Sequence, residues 1–283
     1  MPFKFLAGPL ENTDLIKQFE KISFKNSFSK IKIATSWIIL GLFMKFVIAH
    51  RLTPLNLINE TKAIESFICA FVFELKFYFD FAGYSFIAYG LAMLANLKLT
   101  LNFNHPFTSR NVVIFWHNWH ISLGKFLQRY VLYKNVGIFG SRSGKILFAS
   151  SIFLLSAMWH GGTLNYLLWG TFHGSVYCIF IVFFKKKNIN SYFSVVAMFL
   201  FFVIGRMFAI DISSHRLVEK IISYFNYKSY IITPERFYTI LEASIVNVNV
   251  YFIILLFLSL EFFKFYKLKK QKYHLFRRPI LTI

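Results

Sequence analysis

Between Ile146 and Phe184 the sequence carries no Asp, Glu, Lys or Arg, a run of 39 residues. That feature restricts the chain more than any other. As one helix the run would extend roughly 58 Å, about twice the hydrocarbon core of a bilayer. It must therefore fold back, and Gly161-Gly162 is the natural turning point. A soluble core helix rarely needs such a stretch, so the chain reads as an all-α, polytopic membrane protein. Composition agrees, with 57% hydrophobic residues and 16% charged ones, where soluble domains average about 25% charged.

The net charge of +20 raises the question of nucleic acid, and the placement of the basic residues answers it. Lys17, Lys21, Lys25, Lys30 and Lys32 precede the first apolar span, Lys185-Lys186-Lys187 follow a later one, and 264–283 is a basic tail. Bases that flank spans serve the positive-inside rule and anionic headgroups, whereas nucleic-acid binders line up a stripe. Membrane lipid is thus an expected partner and nucleic acid is not. Residues 211–247 balance Asp211, Glu219, Glu235 and Glu242 against Arg216, Lys220, Lys228 and Arg236, which assigns that stretch to the non-cytoplasmic side. Residues 1–32 read as a cytoplasmic segment, amphipathic through 11–32, and 264–283 as a cytoplasmic tail. Met1–Leu10 is too short for a cleavable signal peptide and leads into Glu11. Cys69 and Cys178 sit in apolar runs and read as buried hydrophobes.

Spans are expected at about 33–49, 146–160, 164–184, 192–210 and 246–265. The apolar region 63–97 is too long for one crossing and holds Glu74, Lys76 and Asp80. Residues 99–135, interrupted by Pro106, read as a broken or re-entrant element, which a membrane tolerates only inside protein or around a cavity. With no repeat or linker, 1–283 reads as one domain.

Ionisable groups at membrane depth are costly and are functional candidates by default. His120, His160 and His173 stand out. An imidazole can take a hydroxyl proton near neutral pH and return it to a leaving group. For a lone intramembrane histidine, an interhelical hydrogen bond is the competing reading, and it is preferred for His173, set among small residues. His117 and His120 would share a helical face at i, i+3, but 115–135 has no Cys, Asp or Glu to complete a site, so no metal is expected. Glu74, Asp80 and His173 would instead form the polar path of a transporter.

Five stretches in order resemble the membrane-bound O-acyltransferases, in the branch that acetylates alginate or peptidoglycan or transfers D-alanine. They are Tyr78-Phe79-Asp80-Phe81-Ala82-Gly83-Tyr84-Ser85, Gly90-Leu91-Ala92, Asn102-Phe103-Asn104-His105-Pro106-Phe107, Phe115-Trp116…Trp119-His120-Ile121-Ser122-Leu123 and Ser156…Trp159-His160-Gly161. The resemblance covers about 1–185 and includes Leu6-Ala7-Gly8-Pro9-Leu10. It implies a helical bundle with re-entrant elements around a funnel or tunnel, in a multi-pass protein of the inner or plasma membrane. A cytoplasmic thioester, acyl coenzyme A or an acyl carrier protein, would supply an acyl group to an extracytoplasmic hydroxyl, with an exported acyltransferase partner and no bound cofactor. His160 matches the catalytic histidine and His120 the second one; Asn104, Arg110, Trp116, Trp119 and Asp80 are the expected substrate-binding residues. Departures are His117-Asn118 for Arg-Arg, Gln128-Arg129 for an Arg-Asp pair, Phe86 for an Asp and Gly124 for a Ser. Together with the early position of the first motif they imply an N-terminally truncated or diverged member. The alternative is a non-catalytic scaffold of the same fold.

Overall fold

The computed structural model describes residues 18–20, 22–52, 62–132, 141–184, 192–209 and 214–244, with isolated residues between 252 and 259. The span expected at 246–265, the Lys185–Lys187 loop, the basic tail and the Leu6–Leu10 stretch lie outside them. All regular elements among the described residues are helical.

Helix α1 (Phe28–Leu42) starts where the Ser27 hydroxyl accepts the Lys30 amide proton at 3.3 Å. It runs on through a π-helical turn (Phe43–Ile48) and a 3-10 turn (Ala49–Arg51). Its outward residues Ile33, Ile39 and Phe46 are exposed and apolar. Helix α2 (Ala63–Leu94) takes up most of the 63–97 region as one unbroken helix of 32 residues, longer than a single crossing needs. Its weak points are covered from outside. A Cβ built on Gly83 would lie 2.7 Å from the Gly41 carbonyl oxygen, and one on Gly41 would lie 2.5 Å from that of Gly83, so bare backbone meets bare backbone. Its carboxylates are partnered: Glu74 with Arg206, Asp80 with Lys45, and Glu65 with Arg236 at 2.9 Å.

The expected broken element follows. A 3-10 turn (Pro106–Thr108) precedes α3 (Val112–Asn118), capped where Asn111 Oδ1 accepts the Ile114 amide at 2.9 Å. The chain breaks at Trp119-His120 and resumes as α4 (Ile121–Leu132). Helices α5 (Arg142–Trp159) and α6 (Leu164–Ile179, then π-helical Phe180–Phe184) fold back on one another at the double glycine, as the uncharged run requires. Helix α7 (Tyr192–Ala209), α8 (Ser214–Tyr224), a 3-10 turn (Tyr227–Tyr230) and α9 (Pro234–Ser244) are the last of the described elements. Phe28–Arg51 and Leu164–Phe184 are long and apolar enough to cross a membrane, and Phe193–Ala209 is a shorter apolar helix.

The core is aromatic. Tyr78, Phe79, Phe103, Phe115, Trp119 and Phe202 bury together, joining α2, the 99–108 loop, α3 and α7. Phe115 stacks on Trp119 at 5.6 Å, and Phe103 meets Trp119 edge-on at 5.1 Å. Such pairs favour offset or edge geometry and add about 0.5–1.5 kcal/mol beyond burial. This cluster fixes the floor on which α3 and α4 rest.

The two ends of α2 differ in what they hold. At its C-terminal end, Asn26 Nδ2 donates to the Leu94 carbonyl at 2.6 Å and Lys98 donates its amide to Gln18 Oε1 at 2.8 Å. At its N-terminal end, the Ala63 amide donates to Ser229 Oγ at 2.8 Å, beside the Arg236–Glu65 pair. The lysine-rich segment and the charge-balanced one thus cap opposite ends of one rod.

Candidate active site

Two local devices present the two histidines. At the end of α5, His160 is the cap residue, its amide donating to the Ser156 carbonyl at 3.0 Å. Gly162 donates to the Ala157 carbonyl at 3.2 Å and Gly161 to that of Met158 at 3.1 Å, the paired bonds of a Schellman turn. Both glycines have positive φ (141° and 65°), which side chains resist. The turn leaves the imidazole on the inner side of the α5–α6 corner, between Trp159 (4.8 Å), Tyr166 (5.6 Å, stacked) and Trp169 (5.5 Å).

His120 is held by the break between α3 and α4. Its φ is +43°, left-handed and uncommon for a residue with a side chain. Asn102, 1% exposed, pins it in place. The Asn102 carbonyl accepts the Ile121 amide at 3.0 Å, its Oδ1 accepts the Ser122 amide at 3.1 Å, and its Nδ2 donates to Ser85 Oγ of α2 at 3.3 Å. The His120 ring rests edge-on against Phe81 at 4.7 Å and faces Trp159 at 5.8 Å. Both its ring nitrogens are buried with no hydrogen-bond partner.

The two imidazoles edge one cavity, which opens to the outside. Val113, Trp116, His117, Trp119 and His120 line it from α3 and the break, and Leu123, Gly124, Leu127 and Gln128 from α4. Phe148, Ala149, Ile152, Phe153, Ser156 and His160 come from α5, and Trp169 and Tyr177 from α6. The walls are apolar and aromatic with a few polar groups, the usual make-up of a small-molecule site. Among the described residues no group of three His, Cys, Asp or Glu is placed to hold a metal.

Of the expected residues, His160, His120, Trp116 and Trp119 meet at this cavity, and Asn104, Arg110 and Asp80 are off its lining. Asn104 ties the loop to α3, donating its amide to the Asn118 carbonyl at 3.0 Å. Asp80 pairs with Lys45 at a half-exposed position on the α1–α2 side. His117 and His120 do not share a helical face, because α3 ends at Asn118. His173 is fully buried between Trp169 (5.0 Å) and Trp116 (5.1 Å), and among the described residues its nitrogens find no hydrogen-bond partner. Glu74 is buried against Arg206, whereas Asp80 pairs with Lys45 at a half-exposed position. Three lining or supporting residues went unread: Asn102 stood within a quoted motif, while Trp169 and Tyr177 lay in an apolar run that gives no signal of which aromatics face inward.

Two apolar helices of membrane-spanning length, one of them lining a cavity edged by two histidines, are the frame of an all-helical protein suited to a membrane. The family profile of the membrane-bound O-acyltransferases matches residues 1–180, and the chain belongs to that family. It is similar to the peptidoglycan O-acetyltransferase of Helicobacter pylori, 31% identical over 60% of this chain and 34% of the relative. It is similar to the probable alginate O-acetylase AlgI of Pseudomonas aeruginosa, at 33% over 60% and 33% respectively. A teichoic acid D-alanyltransferase of Bacillus subtilis is 29% identical over 53% of this chain and 41% of its own length. The match thus spans between a third and two fifths of these relatives.

Proposed function

We propose that the protein is a multi-pass O-acyltransferase of the inner or plasma membrane, its helices and the re-entrant α3–α4 break enclosing a passage. The acyl group, acetyl in the reading preferred here, comes from a cytoplasmic thioester of coenzyme A or an acyl carrier protein. It goes to a hydroxyl of an extracytoplasmic polysaccharide, or to an exported partner that completes delivery. The observation that carries this reading is the meeting of His120 and His160, forty positions apart in sequence, at one cavity.

His160 acts as the general base. It takes the hydroxyl proton as the oxygen attacks the thioester carbonyl; the carbon–sulfur bond then breaks and the proton leaves on the departing thiol. His120 orients the acceptor from across the cavity, and the indole walls keep water from the thioester. Relatives that acetylate peptidoglycan or alginate, and one that transfers D-alanine, support the reaction class.

A second reading, a non-catalytic scaffold of the same fold, draws on the sealed nitrogens of His120. Replacement of His160 by Ala separates the two. With insertion and abundance matched to the wild type, the catalytic reading expects acylation of the envelope polymer to fall by about 100-fold or more. Unchanged acylation would sink it and leave the scaffold.

A further inference from the structure

The segment 214–240 carries an apolar face left exposed among the described residues. Helix α8 buries Leu217 and Lys220, each 1% exposed, against the bundle. On the opposite side Val218, Ile222 and Phe225 recur at helical spacing and are 54%, 65% and 89% exposed. The row continues past the helix end through exposed Tyr227, Ile231 and Tyr238.

We propose that this segment is an interfacial anchor, lying flat in the headgroup layer at the end of the bundle where α2 begins, with membrane lipid as the occupant of its apolar face. Its attachment points confine it there. Helix α7, whose outward Phe193, Val196, Leu200 and Ile204 are exposed and apolar, ends at Ala209. Only residues 210–213 separate it from α8, a reach of at most roughly 14 Å. The segment is also fastened to the first turn of α2 by the Ala63–Ser229 and Arg236–Glu65 bonds, so it cannot swing into solvent. An apolar row held within a headgroup layer about 5–8 Å deep enters that layer. Tyrosines at its edge suit the same boundary, where an apolar ring and a polar tip are both satisfied. The charge balance of 211–247 adds a second expectation: attachment runs on apolar area and not on anionic lipid.

The test uses the full chain in proteoliposomes, with Cys69 and Cys178 replaced by Ala and a fluorescent label on Phe225→Cys, Ile222→Cys or Lys228→Cys in turn. Elution as a monodisperse species controls for folding. Nitroxide lipids carrying the spin near the headgroup are expected to quench the labels at 222 and 225. Aqueous iodide is expected to quench those two labels about threefold less than the label at 228, equally in neutral and anionic vesicles and at low and high salt. Equal iodide quenching at 225 and 228 would overturn the proposal by leaving the face in water. Labels at 222 and 225 that neither quencher reaches would also overturn it, in favour of a second copy of the chain covering the face. Lipid quenching that needs anionic vesicles or vanishes in salt would overturn the neutral mode of attachment. None of these readings depends on acyl transfer.

Discussion

A histidine in the left-handed region costs of order 1–3 kcal/mol and persists only when its surroundings over-determine it. At His120 the surroundings are explicit: Asn102 supplies an acceptor to each of the next two backbone amides and ties itself to α2. The dihedral therefore aims the ring, and the packing of Phe81 and Trp159 only keeps it there. This separates conformation from chemistry in an experiment. Asparagine tolerates the left-handed region well, so His120→Asn is expected to leave thermal unfolding in detergent within about 1 kcal/mol of wild type while envelope acylation falls. A variant that acylates normally would show that the imidazole is dispensable and only the bend matters. His160 faces no such cost, because Gly161 and Gly162 take the positive φ values at its corner. That 120 and 160 would share one cavity was legible from motif order; their contrasting backbones were not, since a left-handed residue without glycine leaves no mark in composition.

Among the elements, two helix pairs are close for the same reason. Gly41 and Gly83 bring α1 and α2 together, and Gly170 does so for α5 and α6, where a Cβ would fall 2.8 Å from the Phe153 carbonyl oxygen. Small residues permit this approach and the packing that follows from it. Gly41→Val is expected to cost roughly 1–3 kcal/mol through overpacking, seen as a lower unfolding midpoint. Gly124 is the opposite case: a Cβ there meets nothing within 4 Å, so Gly124→Ser should fold at least as well as the parent and merely narrow the cavity. The same measurement on both variants checks the distinction. The sequence alone displayed the α5–α6 corner, because an uncharged run has to turn and glycine is where it turns. The excess length of α2 was legible as well, since 63–97 is too long for one crossing; that Arg206 and Lys45, remote in sequence, pair with Glu74 and Asp80 was not. Asn104 and Asp80 stand within quoted motifs, yet Asn104 ties the loop to α3 and Asp80 pairs with Lys45, and neither they nor Arg110 line the cavity. Proximity in a motif does not say which way a side chain points.

For the molecule as a whole, the buried Glu74–Arg206 pair is a long-range ionic tie between α2 and α7. The guanidinium lies 5.1 Å from the centres of the Phe73 and Phe77 rings, and both ionic side chains are nearly sealed. Removing one partner of such a pair strands a charge and costs about 3–5 kcal/mol, while replacing both with apolar residues is often neutral. Glu74→Leu alone should therefore lower stability sharply, and Glu74→Leu with Arg206→Met should recover most of it; thermal unfolding in detergent measures both. Orientation is the second prediction at this scale. Thiol reagents added from outside intact cells should modify Lys228→Cys and spare Lys25→Cys, because the positive-inside rule assigns the lysine-rich end to the cytoplasm. That asymmetry could be read along the sequence, but only the fold reveals that its two halves cap one helix. A rod of 32 residues is roughly 48 Å long, more than the 40–45 Å of a bilayer with its headgroups. It cannot shorten, and its tips are bolted to two collars. In thin membranes, then, either the lipid must swell around the protein or the rod must lean, tipping the chamber with it.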